Sequence, residues 1–566
     1  MKKILLWVFA TGIAIGVAVI TYFMISKNHQ EETLAPIEDS VFVYANLEQL
    51  ATKGAFDKFI TADNRRLIAT ALSSQIDDAE LSQHLSGIVT NLNATGIDFH
   101  GRAYGYLCDD LESFVIVANV LNVVDVDHTV NLFSHLLEKS GEEAITIEQD
   151  GNIRTFEYDN ITVAYNDSRI VFVLGDDNSR HAMVESAITR PKSDLAELEG
   201  NDIAIIANFE RLILIMNSQI EKSTTELQSK LNRGEISDTH YTKQIEEINR
   251  VKDLITTYTS HFEIGAKATI SANFDLGRAA VTCKTKGINY GEYSTLFKAT
   301  NTTHLSYLNS DAYAVISMGV DGNILAQLVR TLLNDEFLST VGITPTNEMS
   351  MILSIACDAL STIDGGVTLA LNNIEGSIKR TYDYYWDEYS ITPNIKSVEA
   401  MLMADVSDTY IINNIAQFAG GFLRKVDPMH YTLRLMNYNL SMGQDEQLFH
   451  LGVNMSPNPK TPSALDCEWT KDIEGSYGYI VANIDAMMNG DLLSSANKII
   501  VRNIIDEYRS IYTDSMEAIS YIYASAKGLD SAEVVVVFDN RSINALEQIN
   551  SIVLPVLVSE GIKAMI

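Results

Sequence analysis

The stretch DSVFVYANLEQL, residues 39–50, recurs twice along the chain, as DIAIIANFERL at residues 202–212 and as SYGYIVANIDAM at residues 476–487. Each copy is an apolar run followed by Ala-Asn, an apolar residue and an acidic residue. Runs rich in Val, Ile and Tyr favour buried strands, whereas Asn ends a strand and caps the next helix through its side-chain oxygen. Each copy therefore predicts a strand, a cap and a helix in direct succession.

Five polar residues are expected to cap helices in this way. They stand at the same place in the three strong copies and in two weaker ones: Asn46, Asn119, Asn208, Asp405 and Asn483. A binding site lined by these residues is the alternative. Capping is the preferred interpretation, because Asn and Asp are among the favoured residues at that position.

Landmarks recur in the same order along the second part of the chain. Ile97 and Ile363 precede matching apolar runs at an offset of 363 − 97 = 266, and Asn119 and Asp405 match at 405 − 119 = 286. Recurring order at a nearly fixed spacing is the mark of an internal repeat. We therefore predict a first half at residues 37–300 and a second half at residues 301–566.

Hairpin signals are frequent in both halves, for example at residues 154–174 and 430–455. Strands, helices and hairpins mixed in this way favour antiparallel sheet over a strictly alternating parallel fold. The predicted fold class is α+β, with two tandem related halves of mostly antiparallel sheet, strand-cap-helix modules and long helical hairpins. The Pro-rich segment at residues 456–463 is expected to be an exposed linker inside the second half.

Residues 209–262 predict a helical hairpin. Apolar residues repeat in steps of three and four on both sides of a break at Asn232-Arg233-Gly234. Such amphipathic helices either pack within their own chain or bind a partner chain. Internal packing is the simpler interpretation, and residues 484–527 are the expected counterpart in the second half.

The N-terminus predicts a membrane anchor at residues 1–26, followed by a linker at 27–36. Lys2 and Lys3 precede an uncharged stretch that is long enough to cross a bilayer. The positive-inside rule then places the body outside the cytoplasm. We expect an inner-membrane, single-pass protein with an N-terminal transmembrane helix and a periplasmic or otherwise extracytoplasmic body. A cleaved signal peptide is the alternative.

Composition excludes one class of partner. The chain has 41 Lys and Arg against 74 Asp and Glu, a net charge of −33. Affinity for nucleic acid depends on basic side chains that neutralise phosphates, so no nucleic-acid partner is expected. Pairing of the four cysteines is left open: Cys108, Cys283, Cys357 and Cys467.

Common catalytic signatures are absent from the sequence, including GxSxG, HExxH and phosphate-binding loops. His128 and His135 lie near two aspartates, but a helix start explains that run better than a metal site. The sequence therefore nominates no catalytic residue, no metal ligand and no cofactor.

One aromatic segment is a candidate for ligand binding. In TYDYYWDEYS, residues 381–390, aromatic rings alternate with acids. Rings beside carboxylates suit the recognition of sugars or cations, although a half-exposed strand has the same pattern. The candidate binding residues are Tyr384, Tyr385, Trp386 and Asp387.

The chain resembles a family of uncharacterised bacterial cell-envelope proteins, a domain of unknown function often found on lipoproteins. The similarity rests on IEDSVFVYANLEQL at residues 37–50, HLSYLNSDAYAVISMGVDGNILAQL at 304–328 and LSTIDGGVTLAL at 360–371. It implies a location in the envelope and a fold, and it carries over no activity. The lipid-modified cysteine common in such proteins is not found near this N-terminus.

These observations favour a non-enzymatic binding or scaffold protein of the cell envelope. It would be anchored in the membrane by the N-terminal helix and would bind a protein partner through the helical hairpins. Two alternatives stay open: an enzyme that acts on an envelope polymer, and a lipid or peptide carrier with a groove between the halves.

Overall fold

A computed structural model describes residues 40–565 of the chain with short gaps. The gaps are residues 74–75, 77, 109–112, 176, 191–197, 199, 333–345, 384–387, 420, 436–437, 491–493 and 497–505. The predicted anchor at residues 1–26 and the linker at 27–36 lie outside the described residues. In the part of the chain that is described, no helix combines the length and apolarity that crossing a bilayer requires.

Strands and helices are interspersed along the described chain, and several strands follow one another directly. The strands are β1 (Val41–Asn46), β2 (Arg102–Leu107), β3 (Phe114–Asn119), β4 (Glu148–Asp150), β5 (Ile153–Tyr158), β6 (Ile161–Tyr165), β7 (Arg169–Leu174), β8 (Ile203–Asn208), β9 (Phe262–Asp275), β10 (Arg278–Ile288), β11 (Phe297–Lys298), β12 (Ala314–Asp321), β13 (Ile363–Asp383), β14 (Glu388–Val406), β15 (Arg424–Asp427), β16 (His430–Leu435), β17 (Tyr438–Asp445), β18 (Leu448–Val453), β19 (Gly478–Asn483), β20 (Ile519–Ala526) and β21 (Ser531–Phe538).

The α-helices are α1 (Leu47–Gly54), α2 (Ala62–Ser73), α3 (Ala79–Thr90), α4 (Val123–Ser140), α5 (Asp177–Thr189), α6 (Phe209–Asn232), α7 (Asp238–Thr259), α8 (Gly322–Leu332), α9 (Asn347–Leu360), α10 (Tyr410–Ala419), α11 (Trp469–Ile473), α12 (Ile484–Asn489), α13 (Asp506–Ala518) and α14 (Ala545–Met565).

The predicted fold class is wrong in the arrangement of its sheet. The structure assigns all 21 described strands to one antiparallel sheet, rather than to two tandem halves of mostly antiparallel sheet. The transmembrane helix of that prediction has no counterpart among the described helices. A repeated strand pattern is visible in a sequence, whereas the pairing of strands is set by backbone hydrogen bonds that the pattern does not specify.

The chain nevertheless divides into two compact units. The first unit extends to Asn289 and takes in the C-terminal segment from Asn540, and the second unit is Tyr290–Asp539. The first unit is therefore discontinuous in sequence. The predicted boundary near residue 300 assigned the C-terminal segment to the second half, whereas the structure assigns it to the first unit.

Both units have the same order of strands. Within the first unit the neighbours run β4-β5-β6-β7-β3-β2-β1-β8-β9-β10. Within the second unit they run β15-β16-β17-β18-β14-β13-β12-β19-β20-β21, and β11 adds a short ladder to β12. Each strand of one order thus has an equivalent in the other, and positions can be matched by cross-strand pairing.

The buried face of the first unit is apolar along one row of paired residues. Neighbours in the ladders run in the order Tyr44, Tyr104, Val117, Val171 and Ala164. All five belong to one buried core cluster, on which Val184, Ala187 and Ile188 of α5 also pack. Alternating residues point to the same face of a strand, so the i-B-i-B burial pattern of β1, β3 and β8 follows directly.

The matched row of the second unit is much more polar. It runs Ser317, Thr368, Met403, His450 and Gly443. The two rows are matched by their distance from the residues that cap the next helices. Val117 stands five residues before Asn122, and Met403 stands five residues before Asp408. Buried polar side chains need hydrogen-bond partners, so this row contains candidate functional groups.

Candidate functional site

The aromatic candidates Tyr384, Tyr385, Trp386 and Asp387 lie outside the described residues. The described strands β13 and β14 lead into and out of this segment and pair from Ile363 and Val406 as far as Asp383 and Glu388. The proposal that the segment binds a ligand stays a prediction.

Asn46, Asn208 and Asn483 each stand at the N-terminus of a helix. Their side-chain oxygens accept hydrogen bonds from the backbone N–H of Gln49, Arg211 and Ala486, at distances of 3.1, 3.2 and 3.1 Å. The cap thus satisfies a helix N–H that would otherwise lack a partner.

Asn119 and Asp405 hold a different place. The helices that follow them are capped three residues later, by Asn122 at the start of α4 and by Asp408 before α10. Short turns separate strand from helix here, whereas the three strong copies pass directly from strand to helix. Asn119 and Asp405 are thus equivalent positions near the ends of β3 and β14, and neither is followed directly by a helix.

Asp405 belongs to a buried polar network. Its Oδ1 lies 3.1 Å from Nε2 of His304 and 3.0 Å from Nδ2 of Asn301, and its Oδ2 accepts the Gly366 N–H at 2.7 Å. Burial raises the pKa of Asp405, but the hydrogen bonds from His304, Gly366 and Asn301 outweigh burial and hold the pKa below its usual value. The carboxylate is therefore a built-in anion at the end of β14.

The network continues away from Asp405. An ionised carboxylate can only accept hydrogen bonds, so Nε2 of His304 donates to Asp405. Nδ1 of the same ring lies 2.9 Å from the Thr368 hydroxyl. That hydroxyl lies 2.9 Å from the Ser317 hydroxyl. The order of side chains is that of a catalytic triad, but His304, Thr368 and Ser317 are at most 3 % exposed. A substrate could not reach these hydroxyls, so the network orders the core rather than performing chemistry.

A second polar cluster lies further along the same face. His430 begins β16, Asp445 ends β17 and His450 lies in β18. His430 Nε2 is 3.1 Å from Asp445 Oδ1, and the rings of His430 and His450 are 5.6 Å apart between centroids. The cluster also includes Asp427, whose carboxylate oxygens are 2.9 Å from Nδ1 of His430.

Sequence reasoning missed this cluster. Its members are spread over 24 residues, and strand register, not spacing, brings them together. The usable signal was the predicted hairpin at residues 430–455, which contains both histidines and Asp445. In such a hairpin, Asp445 before the turn and His450 after it are neighbours across the two paired strands.

The second unit also contains a polar cleft of about 720 Å³. Its described lining residues include no Lys or Arg. They do include four carboxylates and three aromatic rings: Asp311, Glu375, Glu468, Asp485, Tyr313, Trp469 and Tyr521. Asn483 lines it as well, but its side-chain oxygen is occupied by the helix cap. The charge of this cleft disfavours anionic ligands.

The helices α6 and α7 form an antiparallel hairpin, which we call the arm (residues 209–259). At about 1.5 Å per residue, the 24 residues of α6 span roughly 36 Å. Tyr241 of α7 donates to Gln228 of α6 at 2.7 Å, and at the base Phe209 stacks on Phe262 with 4.9 Å between ring centroids. The arm is thus held in shape by a hydrogen bond between its two helices and by ring stacking on β9 at its base.

The outer faces of the arm are open to solvent. Ile215 is its one fully buried side chain among those described. Leu214 is 57 % exposed, Val251 46 % and Met216 38 %. Charges on the arm are mixed, with seven Lys and Arg and eight Asp and Glu in a chain whose net charge is −33. The arm thus offers apolar and balanced charged side chains on one projecting element.

Comparison with known proteins identifies the family. The model of a domain of unknown function, DUF4836, matches residues 31–546. The chain belongs to the DUF4836 family. The resemblance to an uncharacterised family is therefore confirmed, while the cell-envelope location is not part of that finding.

Other comparisons of this DUF4836 chain are distant. No curated protein matches its sequence. Two crystal forms of TP0453 are similar in structure at 10 % identity and a TM-score of 0.22. The similarity to form III covers 46 % of this chain and 82 % of the TP0453 chain. The similarity to form I covers 45 % of this chain and 80 % of the TP0453 chain.

Proposed function

We propose that this DUF4836 protein is a non-enzymatic binding or scaffold protein of the cell envelope, and that the arm binds an amphipathic helix of a protein partner. The observation that carries the proposal is that the arm exposes apolar side chains on both of its helices, Leu214 and Met216 on α6 and Val251 on α7. Burying such side chains against a partner contributes about 25 cal/mol per Å² of apolar area.

A helix is the occupant that best fits this surface. Two antiparallel helices offer a groove into which a third helix can pack its apolar side chains. The near balance of acidic and basic residues on the arm allows salt bridges on both sides of such a contact. The rest of the chain is strongly acidic and would repel most acidic partners.

Cross-linking in intact cells tests the proposal. Lys222, Lys230, Lys243 and Lys252 give amine-reactive cross-linkers four positions on the arm. We expect cross-links from these lysines to one helical segment of a partner protein. The double variant Leu214→Glu/Val251→Glu should lose them and still fold, because both side chains are largely exposed.

Phe422→Glu is the matched control, because Phe422 is 81 % exposed and lies in the second unit. It should retain the cross-links. Retention of the same partner by the double variant, or the absence of any partner cross-linked to the arm, would contradict the proposal.

The location outside the cytoplasm is part of the same proposal. Lys2 and Lys3 before the uncharged stretch Ile4–Ser26 support export of the body. Alkaline phosphatase fused after residue 566 should be active in cells, and β-galactosidase fused at the same position should not. The opposite result would place the body in the cytoplasm.

A further inference from the structure

We propose that His430, Asp445 and His450 form a binding site for a divalent first-row transition metal ion. Two imidazoles and one carboxylate are ligands that Zn²⁺ and its neighbours in the series accept. The site lies in the second unit and does not depend on the function proposed for the arm.

Strand register brings the ligands together. His430 pairs with Gly443, and Gly443 pairs with His450, so the two histidines flank a glycine on the same face. A Cβ at position 443 would collide with the ring of His430. The glycine thus leaves the space in which the two rings approach each other.

The ligand atoms are close enough for one ion. One ligand atom from each of the three side chains lies within 4.8 Å of the others. An ion held at about 2.1 Å by each would need separations of roughly 3.4 Å, which small side-chain rotations supply. His430 Nε2 and Asp445 Oδ1 are already 3.1 Å apart.

His450 gives a second and independent indication. This side chain is 2 % exposed, and its Nδ1 is buried without a hydrogen-bond partner. An unpaired buried nitrogen costs free energy unless something binds it.

Asp427 completes the arrangement from behind. Its carboxylate accepts from Nδ1 of His430 at 2.9 Å, which directs Nε2 of the same ring toward Asp445. A carboxylate that orients a histidine in this way is the usual support of a metal ligand. Asp445 is 57 % exposed, so the site is open to water that could fill the remaining coordination positions.

The fold itself does not require these histidines. At the matched positions of the first unit, the ladder runs Val171, Ala164 and Thr155 in place of His450, Gly443 and His430. Val171 and Ala164 are fully buried there in the apolar core. One strand order thus accommodates an apolar row in one unit and the histidine cluster in the other, so a role beyond packing is indicated.

Metal titration of the purified, chelator-stripped full chain tests the proposal. Calorimetry with Zn²⁺ should show one ion bound per chain, and Co²⁺ should give visible absorption from nitrogen and oxygen ligands. Asp445→Asn and His450→Gln should each weaken binding by at least tenfold. Asp427→Asn should weaken it by about 10- to 100-fold, as loss of a supporting carboxylate usually does.

His240→Gln is the control, because His240 is exposed on the arm. It should leave binding unchanged. Circular dichroism verifies that each variant folds, and Asp445→Asn is the safest variant because Asp445 is largely exposed. Less than one ion per chain in the wild type, or affinity unchanged by both Asp445→Asn and His450→Gln, would overturn the proposal.

Discussion

The structural role of Asp405 in the second unit differs from the role that its sequence context predicts. Asp405 was expected to cap a helix, yet it accepts hydrogen bonds from His304, Asn301 and Gly366. An acid after an apolar run gives the same local signal in both roles. The partners come from residues 39 to 104 positions away in sequence, so only the folded chain distinguishes the roles.

Asp405→Asn should lower the free energy of unfolding by about 2 kcal/mol at pH 7, because the amide replaces a carboxylate that accepts charge-assisted bonds. The folded-state pKa of Asp405 lies below its unfolded value of about 3.9. Its contribution is therefore fully present above that value and is lost as the pH falls through the lower, folded pKa.

Urea unfolding at pH 7, 5 and 2.5 measures this dependence. The gap between wild type and Asp405→Asn should be constant at the two higher pH values and shrink at pH 2.5. Asp167→Asn, an exposed substitution in a turn, should show no gap. A gap that persists undiminished at pH 2.5 would contradict the role of the carboxylate.

At the scale of single elements, local sequence patterns predict several strands and one turn correctly. Apolar runs ending in Ala-Asn mark β1, β8 and β19, and the break at Asn232-Arg233-Gly234 falls at the turn between α6 and α7. These features depend on neighbours in sequence, which is what a pattern records. The histidine cluster depends on which strands pair and in what register, so it emerges only from the folded sheet.

Asn46→Ala and Asn208→Ala should each lower the free energy of unfolding by about 1 kcal/mol, because each leaves a helix N–H without its acceptor. Asn46→Asp and Asn208→Asp keep an acceptor oxygen and should retain most of that stability. Denaturant titration compares the pairs. An equal loss for Asp and Ala would show that capping is not what these residues contribute.

At the scale of the whole molecule, the first unit is closed by the last part of the chain. Asn550 of α14 donates to the carbonyl of Gly54 at 2.9 Å, and Glu547 pairs with Lys58 at 2.6 Å. Leu546 and Gln548 are buried as well. No local signal in the sequence indicates this return, because its contacts are almost 500 residues apart.

A chain truncated after Asp539 should therefore lose structure selectively. Hydrogen exchange should show loss of protection in α1, α2 and β9, on which α14 packs, and retained protection in β12, β13 and β19. Full-length protein is the reference. Equal protection of α1 in both chains would show that the first unit closes without its C-terminal segment.

The return of the C-terminal segment also reverses the usual order of events during synthesis. Domains generally fold from the N-terminus as the ribosome extends the chain. Here the continuous second unit is complete once residue 539 has emerged, whereas the first unit waits for residues 540–565. The part synthesised first is thus completed last, because the first unit stays unfinished until residues 540–565 have left the ribosome.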